Sequence, residues 1–135
     1  MKYTYLISFY TTLFYLLFIV SCNITEASMY GTYVYNKCNN SYDTLILSND
    51  GIYHQSLYSL DKYLIYENTG KWYIRSNRIV LKNVLINDDN SICLNFSGWN
   101  NSLITSELPT RKRNGKVFII TNLDNGRFYV KIDNK

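Results

Sequence analysis

Asp43-Thr44-Leu45-Ile46-Leu47-Ser48-Asn49-Asp50-Gly51-Ile52-Tyr53-His54-Gln55-Ser56-Leu57-Tyr58 reads as strand, turn, strand. β-branched, aliphatic and aromatic residues on both sides suit a pleated, half-buried surface. Asp50-Gly51 between them supplies the backbone freedom that a tight hairpin turn needs. The same rhythm extends in both directions. Upstream, Tyr30 to Tyr35 is rich in Tyr, Thr and Val. Downstream, Tyr63 to Glu67 is a strand closed by the turn Asn68-Thr69-Gly70, and Lys71 to Arg75 and Arg78 to Lys82 flank the two-residue turn Ser76-Asn77. Ile92 to Phe96 follows, then a weak strand at Leu103 to Ser106. The last pair, Lys116 to Thr121 and Arg127 to Ile132, is joined across Leu123-Asp124-Asn125-Gly126.

Alternation supports this reading. Phe128, Val130 and Ile132 share one face, with Tyr129, Lys131 and Asp133 on the other, and Trp72 and Ile74 oppose Tyr73 and Arg75. A period of two is that of strands with one buried face. After residue 28 no segment carries a capped helical stripe; Ser56 to Tyr66 is the ambiguous one. About eight to ten short strands joined by tight turns predict an all-β, antiparallel up-and-down barrel, in which closure removes exposed sheet edges.

The amino terminus is of another kind. Lys2 and the free amine form a weakly positive start, and Tyr3 to Val20 is uncharged and dominated by Leu, Ile, Phe, Val and Tyr, with Ser8, Thr11 and Thr12 diluting it. Such a core, ending in a small residue, reads as an export signal; the alternative is a retained transmembrane helix at the lower limit of length. Ile19-Val20-Ser21-Cys22 resembles the lipobox of bacterial lipoproteins. The resemblance implies thioether-linked diacylglycerol on Cys22, cleavage before it and acylation of the new amine. Two or more chains anchor stably where one binds reversibly, at about 0.8 kcal/mol per buried CH₂. The expected organisation is a signal peptide over 1–21, a lipidated tether over 22–28 and one all-β domain over 29–135.

A second resemblance follows the strand order. Gly31-Thr32-Tyr33, Leu45-Ile46-Leu47 with Asp50-Gly51-Ile52-Tyr53, Gly70-Lys71-Trp72 and Ile79-Val80-Leu81 resemble the motif rhythm of small lipocalin-like lipoproteins of Gram-negative bacteria. It spans roughly residues 30–85 and implies a lipocalin-like barrel and an envelope location, not a chemistry. By the sorting patterns of such lipoproteins, Asn23-Ile24-Thr25-Glu26 has neither the Asp after Cys22 that marks inner-membrane retention nor an acidic export cluster. The expected location is therefore the outer membrane, facing the periplasm.

The formal charge of +4 is mild, and removal of Lys2 with the signal lowers it further. Arg111-Lys112-Arg113 and Lys116 surround the turn signal Asn114-Gly115, which places them on a solvated loop; contact with anionic headgroups is the alternative. The charge is not gathered on one helix or sheet face, which argues against nucleic acid. With Cys22 assigned to lipid, Cys38 and Cys93 remain as a candidate disulfide that would close a loop of about 55 residues, worth roughly 4 kcal/mol in the chain-entropy model. Two free thiols that never meet are the other reading, and spacing does not choose between them.

Motifs of chemistry are sparse. His54 is the single histidine, which excludes a His-based metal centre or a Ser-His-Asp triad. Cys38 and Cys93 do not form C-x-x-C, and Ser97-Gly98-Trp99 lacks the nucleophile-elbow frame. Asp88-Asp89-Asn90 lacks the ligand series of a calcium loop and reads as a turn. No cofactor is implied. Tyrosine is in surplus, fourteen in all, for sheet packing or for a barrel mouth that binds an apolar or sugar-like ligand. The expectation is a non-catalytic, membrane-anchored envelope protein that binds a small ligand or a protein through its barrel. The alternatives are an inhibitor or immunity-type protein acting through loops such as Leu108 to Lys116, and an enzyme with two carboxylates brought together by folding.

Overall fold

A computed structural model describes residues 24–36, 41–86 and 104–132. A short helix, α1 (Glu26–Met29), precedes eight strands: β1 (Gly31–Tyr35), β2 (Ser41–Leu47), β3 (Ile52–Ser59), β4 (Leu64–Arg75), β5 (Arg78–Val84), β6 (Ile104–Arg113), β7 (Lys116–Asn122) and β8 (Arg127–Ile132). Each strand pairs antiparallel with the next, and β1 pairs with β8, so the sheet closes into an up-and-down barrel. The all-β barrel read from the sequence is the fold of the chain.

The turns form where their residues allow. Ser76 and Asn77 both have positive φ, at 50° and 59°, as a two-residue hairpin turn with the right twist requires. Asp50 caps its own turn by accepting the Ile52 N–H at 2.9 Å. One end of the barrel is closed by α1. Thr25 caps the helix and Met29 is fully buried, while the Tyr33 hydroxyl donates to the Met29 carbonyl at 2.8 Å. Within the segment read as a tether, Ile24 already packs against the core. The described core and hydrogen-bond ladder lie within residues 24–132, all of which a chain that begins at Cys22 retains.

Side chains fill the interior. Tyr33, Tyr35, Tyr53, Trp72 and Tyr129 pack with Leu45, Leu47, Ile79, Leu81 and Ile119. Trp72 lies on the inward face predicted for it; its indole N–H donates to the Ser48 carbonyl at 3.0 Å and its ring meets Tyr30 edge-on.

Four expectations need correction. Asn68-Thr69-Gly70 is not a turn: β4 runs unbroken through it, and Gly70 pairs with Tyr53. A methyl group on Gly70 would overlap the Lys82 carbonyl oxygen and the Tyr53 ring, so the glycine serves a close approach between strands. Leu108 to Lys116 is not a loop either. It is the end of β6, the Asn114-Gly115 turn and the start of β7. Pro109 and the charge run hid this strand, because both are rare inside a sheet. The weak strand read at Leu103 to Ser106 is thus, from Ile104 on, the beginning of the ten-residue β6, and Leu103 lies outside the described residues. Finally, the apolar set of β8 does not face the core. Tyr129 points inward at 2% exposure, whereas Ile132 on the opposite face is 43% exposed. Ile92 to Phe96 lies outside the described residues.

Two substitutions test this packing. Trp72→Ala removes a buried ring and should cost about 3–5 kcal/mol, seen as a large fall in thermal midpoint. Gly70→Ala should also destabilise strongly, although alanine is the smaller change. A midpoint for Gly70→Ala near that of the parent would show that the strands do not approach as closely as this packing requires.

Candidate functional site

Two places combine polar chemistry with shape: the upper interior of the barrel and a groove on its outer wall. Inside, β2 contributes Asp43, β3 Gln55 and β8 Tyr129. Leu45 pairs with Gln55 across the β2–β3 ladder, which puts Asp43 one diagonal step away on the same face. The Tyr129 hydroxyl donates to Asp43 Oδ2 at 2.6 Å, and Gln55 Nε2 lies 3.5 Å from Asp43 Oδ1 and 3.2 Å from the Tyr129 oxygen. The Gln55 amide also forks onto the main chain just past β5. Its Nε2 donates to the Leu85 carbonyl at 2.8 Å and its Oε1 accepts the Leu85 N–H at 3.2 Å. Gln55 therefore links two walls of the barrel through a side chain that behaves as a peptide unit.

Burial dominates the electrostatics here. Asp43 is 1% exposed. Loss of hydration raises its pKa to about 7, against the hydrogen bonds from Tyr129 and Gln55, which favour the carboxylate. Tyr129 is held well above the ordinary phenol range, first by burial and then by the neighbouring Asp43. Among the described residues Asp43 is the buried acidic side chain, so the cluster lacks the second carboxylate that glycoside chemistry requires. Its chemistry is proton binding at one carboxyl group. The Ser41 and Thr121 hydroxyls are buried at the same end of the barrel without a partner.

The outer groove follows from the outward side chains of β7 and β8. Phe118, Ile120 and Phe128 point away from the core, and the two phenyl rings meet edge-to-face at 5.3 Å. With Leu123 they floor a groove of about 220 Å³, bounded by Arg111, Arg113 and Arg127; among the described residues no acidic side chain lines it. It therefore offers an apolar floor beneath guanidinium groups, suited to a partner that is apolar and anionic at once.

The remaining candidates fall as follows. Cys22, Cys38 and Cys93 lie outside the described residues, and so do Asp88 and Asp89. His54 is on the exposed face of β3, with Nδ1 3.1 Å from the Thr69 hydroxyl. No group of metal-ligating side chains occurs among the described residues. Of the tyrosines, Tyr33, Tyr35, Tyr53 and Tyr129 pack the interior. The Asp43 cluster escaped the sequence reading, although Asp43 shares its alternation with Leu45 and Leu47, which marks it as inward. Tyr129 and Gln55 carry no comparable local signal.

No protein-family model, curated protein or solved structure matches this chain. Its chemistry therefore has to be argued from these residues alone.

Asp43 makes stability depend on pH in a defined direction. Its folded-state pKa of about 7 lies above the ordinary 3.8. The folded state thus keeps the proton where the unfolded chain has lost it. The contribution is complete below about pH 4, falls by up to about 1.4 kcal/mol per pH unit as pH rises towards 7, and is constant above. Denaturant unfolding across this range should show that decline in the parent and a flatter profile in Asp43→Asn. Equal slopes in the two proteins would remove Asp43 from the account.

Proposed function

We propose that this chain is an exported lipoprotein, acylated at Cys22, whose barrel is a non-catalytic binding module of the cell envelope. The contact is made on the outer wall along β6–β8, not in the interior. One observation carries this reading: the interior is occupied by buried tyrosines, tryptophan and aliphatic side chains, while Phe118 and Ile120 of β7 and Phe128 of β8 face outward and floor a groove ringed by arginine. A lipocalin-like barrel that holds a ligand needs a hollow centre; this one presents its free apolar surface elsewhere. The resemblance of Ile19-Val20-Ser21-Cys22 to a lipobox supports the anchoring and, with the residues after it, an outer-membrane position facing the periplasm.

The outer surface is consistent with an anchored barrel, as opposed to one that spans the bilayer. Glu67, Lys71, Arg75 and Lys82 are exposed on the strands, whereas a lipid-facing wall requires a continuous apolar band. Among the described residues no helix is long and apolar enough to cross a membrane. A second reading, an inhibitor or immunity-type protein, draws on the same filled interior together with the β6–β7 hairpin, an ordered element instead of a loop.

Two measurements in cells test the proposal. Fatty-acid labelling should be present in the parent and absent from Cys22→Ser, with that precursor left uncleaved; equal labelling would refute acylation at Cys22. A photo-crosslinking residue at Ile120, in the groove, should capture an envelope component that the same probe at His54, on the opposite wall, does not. Identical products from both positions, or none from either, would discard the groove as the binding face.

A further inference from the structure

We propose that the end of the barrel closed by α1 is a docking surface for an anionic lipid bilayer, formed by the β6–β7 hairpin. The antiparallel order places the start of β1, the turn between β6 and β7 and the end of β8 at one end. The amino-terminal segment leaves the barrel there, and so does the hairpin that carries Arg111, Lys112, Arg113 and Lys116. All four side chains are exposed. β5 begins at Arg78, opposite Pro109, so residues 111–113 run beyond the β4–β5 turn.

Among the described residues the local acids are not paired with this group. Of the acidic residues at this end, Glu107 is engaged by Arg75 and by Arg78, the latter at 3.4 Å. Asp50 is committed to its own turn through the Ile52 N–H. Glu26 sits in the first turn of α1. Among the described residues, no acidic side chain forms an ion pair with the four hairpin cations. The opposite end is balanced among the described residues: Asp61 and Asp124 stand exposed in its turns, beside Lys62 and Arg127.

Chain length brings the basic end to the surface. Ile24 packs on the core and lies two residue steps from Cys22, with only Asn23 between them. Fully extended, that is about 7 Å of main chain, comparable with the screening length of about 8 Å at physiological ionic strength. A diacylated Cys22 therefore holds the hairpin where headgroup charge is still felt. This step rests on the lipoprotein reading; the charge asymmetry of the barrel does not. Each basic side chain near an anionic surface is worth about fivefold in partitioning, within a screening length.

Vesicle co-sedimentation of residues 22–135 carrying Cys22→Ser, and hence without lipid, isolates the protein surface from the anchor. Vesicles containing phosphatidylglycerol should bind it, pure phosphatidylcholine vesicles should not, and high salt should release it. Lys112→Gln with Lys116→Gln lies outside the groove and should lower partitioning by at least about tenfold. Lys62→Gln with Lys82→Gln removes the same charge from elsewhere and should leave binding nearly unchanged. Equal binding to neutral vesicles, an equal loss in the two double variants, or full binding in Lys112→Gln with Lys116→Gln would each overturn the proposal. Loss of fatty-acid labelling at Cys22 in cells bears on the anchor alone and leaves this outcome to be read independently.

Discussion

Closing a sheet of eight strands leaves an interior that side chains, or one small ligand, must fill. This barrel fills much of it with tyrosine, and the polar tips of those rings set the rest of its design. A buried phenol stabilises the core only if its hydroxyl finds a partner. Tyr33 reaches the Met29 carbonyl, which fastens α1 across one end. Tyr53 reaches the Lys82 carbonyl at 2.9 Å, and its ring requires the bare backbone of Gly70. Tyr129 reaches Asp43. Each ring thus ties its strand to a segment that the sheet ladder does not join to it.

The third of these ties differs in kind. A main-chain carbonyl is a fixed acceptor, whereas Asp43 can change charge, and burial has moved that change to near neutral pH. Replacing the network by apolar side chains of similar volume would remove a desolvation cost. What the polar version provides is direction. Gln55 and Asp43 select where the Tyr129 ring points, and with it the face that β8 turns inward. Phe128, on the opposite face of β8, is thereby turned outward into the groove.

Local chemistry in the sequence showed the strands and most turns. Asp50-Gly51, Ser76-Asn77 and Asn125-Gly126 each mark a reversal whose backbone demands are met by those residue types. Trp72 was placed correctly because Tyr73 and Arg75 alternate with it. Three features were not legible, for separate physical reasons. Gly70 looked like turn punctuation because its purpose depends on Tyr53 and Lys82, which only pairing brings near. Pro109 broke the strand signal of β6, yet the Thr110 N–H beside it still bonds to the Asn77 carbonyl at 3.2 Å. On β8, apolar content named the wrong face, since Tyr129 is both the largest ring and the one with a buried acceptor. The groove was hidden for the same reason: it consists of residues that hydropathy alone assigns to the core.

The two ends of the barrel therefore acquire different characters from one topology. In an up-and-down barrel, turns alternate between the ends, so residues in the turns before odd-numbered strands gather at one end and those before even-numbered strands at the other. Asn114-Gly115 carries its flanking cations to the end where the chain begins, while Asp61 and Asp124 are carried to the far end. Shifting the basic run by a single hairpin would place it beside Asp61 and away from the amino terminus. The polarity is consequently a property of strand order, invisible in a net charge of +4.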